Sequence, residues 1–311
     1  MEITQSLSNN TSCMKSKIAY FILVHRFPNQ FKRLFKAIYD KDNYYLIHLD
    51  KKVTEEISKE ISCFLKAYPN AHILESTNVI WGGYSMVQAE LNGINYLLSL
   101  SKSWDFFINL SGQDFPLKSQ NEIREFLSNN KERNFIKTAD QALDRPDTMN
   151  RIENHFTETS SGFSDTVFKR SFMDDVTPFI GGQWMILSRS CCEFICYSNE
   201  VKKYEDYYIN TLIPDESFFQ TVLMNTSFPG IIVNDDKRAI IWVPDGLIKL
   251  RPKTFTIEDL LFLSKGENIF ARKFDDEHDG AIVDALELRL KKHSLRKPTS
   301  LRRKKYLTIR P

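Results

Sequence analysis

The sequence predicts an α/β fold built on a mostly parallel central sheet flanked by helices. Short strand-forming apolar runs alternate with helix-spaced ones between residues 17 and 110, and turn residues fall between them. Strands that alternate with helices pair in parallel and cross over with right-handed connections. Size fits the same picture. With 311 residues, 42% hydrophobic and 13% aromatic, the chain can bury the core of one large domain or two small ones, which excludes global disorder.

In chain order, residues 17–24 (KIAYFILV) read as a first strand, after which Pro28 opens a helix with Phe31, Leu34, Phe35 and Ile38 on one face. Tyr44–Leu49 is the next strand and ends at Asp50; Glu55–Leu65 is helical through Ile57, Ile61 and Leu65. Ala71–Leu74 is a third strand. A turn at Trp81-Gly82-Gly83 precedes a long helix through Val87, Leu91, Ile94 and Leu98, and residues 105–110 (DFFINL) form a buried strand. Past residue 140 the periodicity weakens. Residues 140–175 are polar and read as loop-rich, a candidate acceptor-binding or lid region.

Ligands of parallel sheets bind at the carboxyl ends of the strands. The residues there are His25, Asp50, Trp81-Gly82-Gly83 and Ser111-Gly112-Gln113-Asp114. Neither G-x-G-x-x-G nor G-x-x-x-x-G-K-[ST] occurs, so a nucleotide would be held without the usual dinucleotide fingerprint or P-loop.

Residues 213–221 (IPDESFFQT) set Asp215 and Glu216 directly before a Phe-rich run. A carboxylate with an acidic neighbour and apolar packing is hard to keep ionised, which raises its pKa toward the range of a general base. The plain alternative is an acidic helix start favoured by the helix dipole, with Pro214 in the first turn.

The net charge of +2 conceals an uneven distribution, because the body is at −8 once the ten basic residues from Arg289 onward are set aside. That tail contains no acid. It can dock on anionic lipid or remain a solvated end, whereas nucleic acid is excluded as a partner by the acidic body and the lack of an aromatic-interleaved basic face. No run approaches the ~20 apolar residues of a membrane span. The first fifteen residues also lack the apolar core of a signal peptide. Five cysteines without C-x-x-C spacing give neither a disulfide framework nor a metal site. The expected location is therefore the reducing cytoplasm, with peripheral contact to the inner face of the membrane through the tail.

Five segments in order resemble the core-2/I-branching β-1,6-N-acetylglucosaminyltransferase family, and within it the peptide O-xylosyltransferase branch most closely. They are VIWGG at 79–83, LSGQDFPLKS at 110–119, GGQWMILSR at 181–189, IPDESFFQTVL at 213–223 and IFARKFD at 269–275. With the first strand and IHLDKK at 47–52, the resemblance spans about residues 17–275. It implies a GT-A-type glycosyltransferase fold, Rossmann-like in its sheet, and an inverting, metal-independent transfer of xylose or N-acetylglucosamine from a UDP-sugar. The acceptor would be a hydroxyl of a glycan, lipid-linked glycan or peptide, and the new linkage β.

Carried over by position, Glu216 stands where the family has its base. Val24 and Asp50 would contact uridine, Val79, Ile80 and Trp81 would line the nucleotide pocket, and Gln183 and Trp184 would face the donor sugar. Arg251, Arg272 and Lys273 stand in or near the places that contact the diphosphate. The organisation implied is a disordered 1–16, one domain over 17–288 and a basic tail over 289–311. Within the domain, 17–119 would be the nucleotide-binding half and 120–288 the acceptor and catalytic half.

The chemistry stands on its own terms. Displacing UDP from an anomeric carbon builds negative charge on the diphosphate, which a metal or fixed cations must stabilise. The segment Ser111-Gly112-Gln113-Asp114 offers one acid where a metal needs more oxygen ligands. Asp40-Lys41-Asp42 has the letters of a metal motif but precedes a strand and reads as a surface turn. Arg and Lys can replace the cation, so no cofactor is expected.

Several residues carry a plainer reading beside the functional one. Trp81 and Trp184 could be core or pocket aromatics, and Asp114 a turn former or a substrate contact. Asp215 is a further possible contact. His25 and His48 read as structural, and Trp242 as core more readily than acceptor platform. Two rival functions stay open: a glycoside hydrolase using the carboxylate pair, and an inactive sugar- or nucleotide-binding module.

Overall fold

The computed structural model describes residues 15–246 and 249–294. Strand β1 (Ile18–Val24), helix α1 (Pro28–Ile38), β2 (Tyr44–Leu49), α2 (Glu55–Leu65), β3 (Ala71–Leu74), α3 (Tyr84–Leu100) and β4 (Phe106–Ser111) follow the alternation read from the sequence. Pro28 sits in the first turn of α1, where its missing N–H costs nothing, and Phe31, Leu34, Phe35 and Ile38 are buried. Next come β5 (Asp114–Pro116) and α4 (Gln120–Ser128), whose entry is fixed by a reciprocal Ser119–Glu122 capping box.

Residues 140–175 depart from the expected loop. After β6 (Arg133–Asp140) come two short helices, α5 (Gln141–Asp144) and α6 (Asn150–Glu153), and then an antiparallel hairpin of β7 (Asn154–Thr159) and β8 (Gly162–Lys169). Its strands are mostly half-buried or exposed on both faces, so no hydrophobic alternation marks them in the sequence.

The chain continues through β9 (Phe179–Ser188), α7 (Arg189–Tyr197), α8 (Asn199–Tyr208), a 3-10 turn (Pro214–Glu216), α9 (Phe218–Asn225), β10 (Ile231–Val233) and β11 (Arg238–Ala239). A second hairpin of β12 (Trp242–Asp245) and β13 (Lys249–Pro252) follows. Then come a 3-10 turn (Ile257–Asp259), α10 (Leu260–Lys265), β14 (Phe270–Arg272) and α11 (Gly280–Ser294).

The main sheet has the order β10-β6-β9-β4-β1-β2-β3. The pairs β4-β1, β1-β2 and β2-β3 are parallel, as is β10-β6, while β9 runs antiparallel to both its neighbours. The sheet is thus mostly parallel with one reversed strand near its middle. Apolar clusters bury both faces; α1, α2 and α11 contribute to one, α3, α7, α8 and α9 to the other. The sheet crosses the expected boundary between the two halves, since β9 from the second half pairs with β4 from the first.

Two boundaries shift. Ser16 is buried and its backbone N–H donates to Ser128 Oγ at 2.7 Å, so the body begins before residue 17; residues 1–14 lie outside the described residues. At the other end α11 runs past 288. It buries Ile282, Val283 and Leu286, and Arg289 donates to the Ser264 carbonyl at 2.8 Å. Most of the basic tail, residues 295–311, lies outside the described residues.

Candidate active site

Strands β1 and β4 lie side by side, and the chain leaves them in opposite directions across the sheet, toward β2 from one and toward β9 from the other. This reversal opens a crevice at their carboxyl ends. Val24, ending β1, is buried, and its carbonyl accepts from the Asp50 backbone N–H at 3.0 Å, so these two expected uridine contacts are adjacent. Lys52 Nζ donates to the Val79 carbonyl at 2.7 Å, which ties the turn before α3 to the end of β2. Ile80 is buried, while Trp81 projects at 69% exposure. Gly82 has φ +76, a conformation in which a side chain would be strained, and its carbonyl accepts from the Ile213 backbone N–H at 2.7 Å. One hydrogen bond therefore joins the proposed nucleotide turn to the acidic segment.

A small sheet of β11, β14 and β5 gathers the charges opposite. Its register sets Arg272 across from Asp114, and Arg272 Nη1 donates to Asp114 Oδ1 at 3.0 Å. Asp114 has no exposed surface, and its Oδ2 accepts from the Ser111 backbone N–H at 3.1 Å. The guanidinium of Arg272 packs 4.7 Å from the centre of the Trp184 ring. A second guanidinium that sequence reasoning missed, Arg238, approaches the same ring at 5.7 Å and Phe270 at 4.6 Å. Arg238 is buried and donates through Nη2 to the Asn109 carbonyl at 2.5 Å, while its Nε and Nη1 have no partner among the described residues.

Lys273 follows, half-buried, and its pKa is held below the ordinary value by burial and then by Arg26 and Arg272. Arg26 donates through Nε and Nη2 to Gln113 Oε1 at 3.3 and 3.0 Å. His25 is likewise held down, by desolvation and then by Arg26 and Arg272. Positive charge thus accumulates at this end of the sheet, the arrangement a polyanion would relieve. Arg251 stands apart, 53% exposed on the β12-β13 hairpin and 3.7 Å from Asp245, though its charge still bears on Lys273. Trp242 is on the same hairpin at 50% exposure, which overturns its reading as a core residue.

On the other side, Ile213 adopts left-handed φ 51 and launches the 3-10 turn that carries both carboxylates. They divide sharply. Asp215 is buried, its Oδ1 has no partner among the described residues, and its pKa is pushed up to about 7 by burial and then by the charge of Glu216. Glu216 is partly exposed, and its Oε2 accepts from Arg151 Nη1 on α6 at 2.8 Å. A hydrolase needs two carboxyl groups facing one sugar. With Asp215 in the interior, the geometry does not supply that pair. Next to the turn, Gln183 on β9 donates through Nε2 to Glu90 Oε1 at 3.3 Å.

His48 is buried and hydrogen-bonds Thr77 Oγ1 through Nε2 at 2.9 Å, the structural role expected of it. Asp40 and Asp42 both face Arg124 Nη1, at 2.7 and 3.6 Å, so that turn is an ion-pair cluster. Among the described residues no group of three or more His, Cys, Asp or Glu is placed to hold a metal, and no helix is long and apolar enough to cross a membrane.

The family model described as "Core-2/I-Branching enzyme" matches residues 18–263. A protein named xylosyltransferase from Ciona intestinalis is 31% identical over 293 residues, covering 88% of this chain and 34% of that protein. Human xylosyltransferase 2 is 30% identical with the same coverage, and rat xylosyltransferase 1 is 32% identical over 73% of this chain and 28% of its own length. The chain spans about a third of the length of the curated relatives it matches. A solved 4-diphosphocytidyl-2C-methyl-D-erythritol synthase from Anaerococcus prevotii aligns at a TM-score of 0.37 and 12% identity over 80% of this chain and 95% of its own, too remote to argue from.

Proposed function

Because this chain belongs to the core-2/I-branching enzyme family, whose fold is GT-A-like, we propose that it is an inverting glycosyltransferase that uses a UDP-sugar. The observation that carries the reading is a basic crevice at the sheet reversal together with a partly exposed carboxylate, Glu216, on the segment bonded to the Gly82 turn. Uridine would lie over Val24 and Asp50. The diphosphate would meet Lys273 and Arg272, with the buried Arg238 and Arg26 adding charge nearby. The sugar would rest against Gln183 and Trp184.

In the reaction a hydroxyl of the acceptor attacks the anomeric carbon from the face opposite UDP, the bond to the diphosphate oxygen breaks, and the linkage inverts to β. Glu216 takes the hydroxyl proton. Arg151 holds its Oε2, which leaves Oε1 as the acceptor for that proton. Negative charge released onto the diphosphate is stabilised by fixed guanidinium and ammonium groups, preorganised by the small sheet. This favours a metal-independent mechanism, since the one acid at the end of β4, Asp114, is already bonded to Arg272. Xylose is the favoured sugar by the names of the relatives, with N-acetylglucosamine the alternative from the wider family. The acceptor is a glycan, lipid-linked glycan or peptide hydroxyl, and Trp81 and Trp242 are exposed aromatic surfaces on which it can stack.

Calorimetric titration with UDP, followed by a UDP-release assay over acceptors of each class, tests the proposal. Binding with turnover supports it. An intact protein that binds no UDP would end it, and binding without turnover on every acceptor would favour an inactive module.

A further inference from the structure

Glu90 has no exposed surface, and the transfer as described makes no use of it. Its Oε1 accepts from Asn109 Nδ2 at 2.9 Å and from Gln183 Nε2 at 3.3 Å. The Asn109 amide has only one consistent orientation, because its Oδ1 accepts from the Met185 backbone N–H at 2.9 Å while Nδ2 also reaches the Gln183 carbonyl at 2.9 Å. A single carboxyl oxygen therefore joins α3, β4 and β9. With Nε2 spent on Glu90, the Gln183 amide has Oε1 left over, and an amide oxygen can only accept.

We propose that Glu90 is a positioning residue for the nucleotide sugar, fixing the Gln183 amide so that its Oε1 takes a hydrogen bond from a hydroxyl of the sugar. The proposal deepens the transferase reading and rests on it. Glu90 does this as a neutral acid. Among the described residues no cation forms an ion pair with it, and its Oε2 is buried without a partner. The charged groups that bear on it are Asp215, from the 3-10 turn packed against α3, which opposes ionisation, and Arg238, from β11, which favours it. Burial outweighs both, and the carboxyl is pushed up to about 8. A neutral acid here is replaceable by glutamine, which keeps the shape and both accepted bonds.

The test compares Glu90→Gln, Glu90→Leu and wild type for the KM of the nucleotide sugar in UDP release at pH 7, and for melting temperature from pH 5 to 8.5. Glu90→Leu should raise KM about tenfold, the worth of a displaced buried hydrogen bond, with kcat within about threefold; Glu90→Gln should stay near wild type. Glu90→Met serves in place of leucine if the latter does not fold. The melting comparison has a defined sign. An acid whose folded pKa is raised loses stability as pH climbs from its ordinary 4.5 to about 8, so wild type should fall relative to Glu90→Gln across that window and no further above it. An unchanged KM in the leucine variant, or an equal loss in the glutamine variant, overturns the positioning role; parallel melting overturns the neutral acid. A wild type without any UDP affinity would remove the transferase reading, and the melting comparison would still judge Glu90.

Discussion

Replacing Arg272 with alanine should cost far more than the loss of a surface charge. Its partner Asp114 is completely buried, and the Arg272 side chain itself is only 18% exposed, so the 3.0 Å pair lies mostly out of water. Removing one member of such a pair strands the other charge, at about 3–5 kcal/mol. Loss of the guanidinium from the Trp184 ring, 4.7 Å away, adds roughly 0.5–1 kcal/mol because Arg272 keeps some contact with solvent. Urea unfolding of Arg272→Ala should therefore show a midpoint shift worth about 3.5–6 kcal/mol at unchanged slope. The decisive variant is the double substitution with Asp114→Asn. An asparagine can still accept from Ser111 N–H but leaves no buried charge, so the double variant should recover at least about 2 kcal/mol relative to Arg272→Ala. A single variant within about 1 kcal/mol of wild type, the ordinary worth of an exposed pair, would refute the reasoning, as would strictly additive single effects. Activity losses in Arg272 variants would thus mix folding with chemistry, which makes Lys273 the cleaner probe of the diphosphate.

Lys273→Ala should weaken UDP more than uridine and lower transfer by roughly 10² to 10³, measured by titration and UDP release; equal weakening of both ligands would move Lys273 off the diphosphate. Transfer should also persist in excess EDTA, and restoration by manganese after a complete loss would show a metal mechanism instead. Glu216→Gln should keep UDP-sugar binding and lose about 10² to 10⁴ in kcat, and a variant within threefold of wild type would remove it as the base. Asp215→Asn should gain melting temperature over wild type as pH rises from 3.8 to about 7, because wild type loses stability while that buried acid is forced toward ionisation; a pH-independent difference contradicts this. Deleting residues 295–311 should abolish low-salt sedimentation with acidic liposomes while sparing activity on a soluble acceptor, and equal sedimentation of both forms would exclude a membrane role for the tail.

The first part of the fold was legible because its strands are buried on both faces and its helices on one, as in β1 and α1, so apolar spacing alone delimits them. Direction is not encoded that way: β9 reads as a buried strand whichever way it runs, and only its pairing with β4 and β6 reveals the reversal. The β7-β8 hairpin was missed because it has little core to imprint a pattern. Glu216, Arg272 and Lys273 were singled out through segments recognisable as a set. Arg238 was not, since it occupies a two-residue strand after Asp235, Asp236 and Lys237 that reads as a polar turn. Glu90 did leave a trace. It falls three residues after Val87 and four before Ile94, on the apolar face of α3, where an acid has to be neutral or paired.

The hydrogen bond from Ile213 N–H to the Gly82 carbonyl has kinetic implications. The turn that would close around the nucleotide and the loop that presents Glu216 share that bond, so a displacement of one can be passed to the other and the two proposed subsites can be coupled. Coupling of this kind is reciprocal, and it predicts that UDP tightens the affinity for acceptor by the same factor as acceptor tightens that for UDP. Gly82→Ala, strained at φ +76, should displace the carbonyl and make the two affinities independent, whereas an undiminished mutual effect in that variant would show that the substrates communicate by another route.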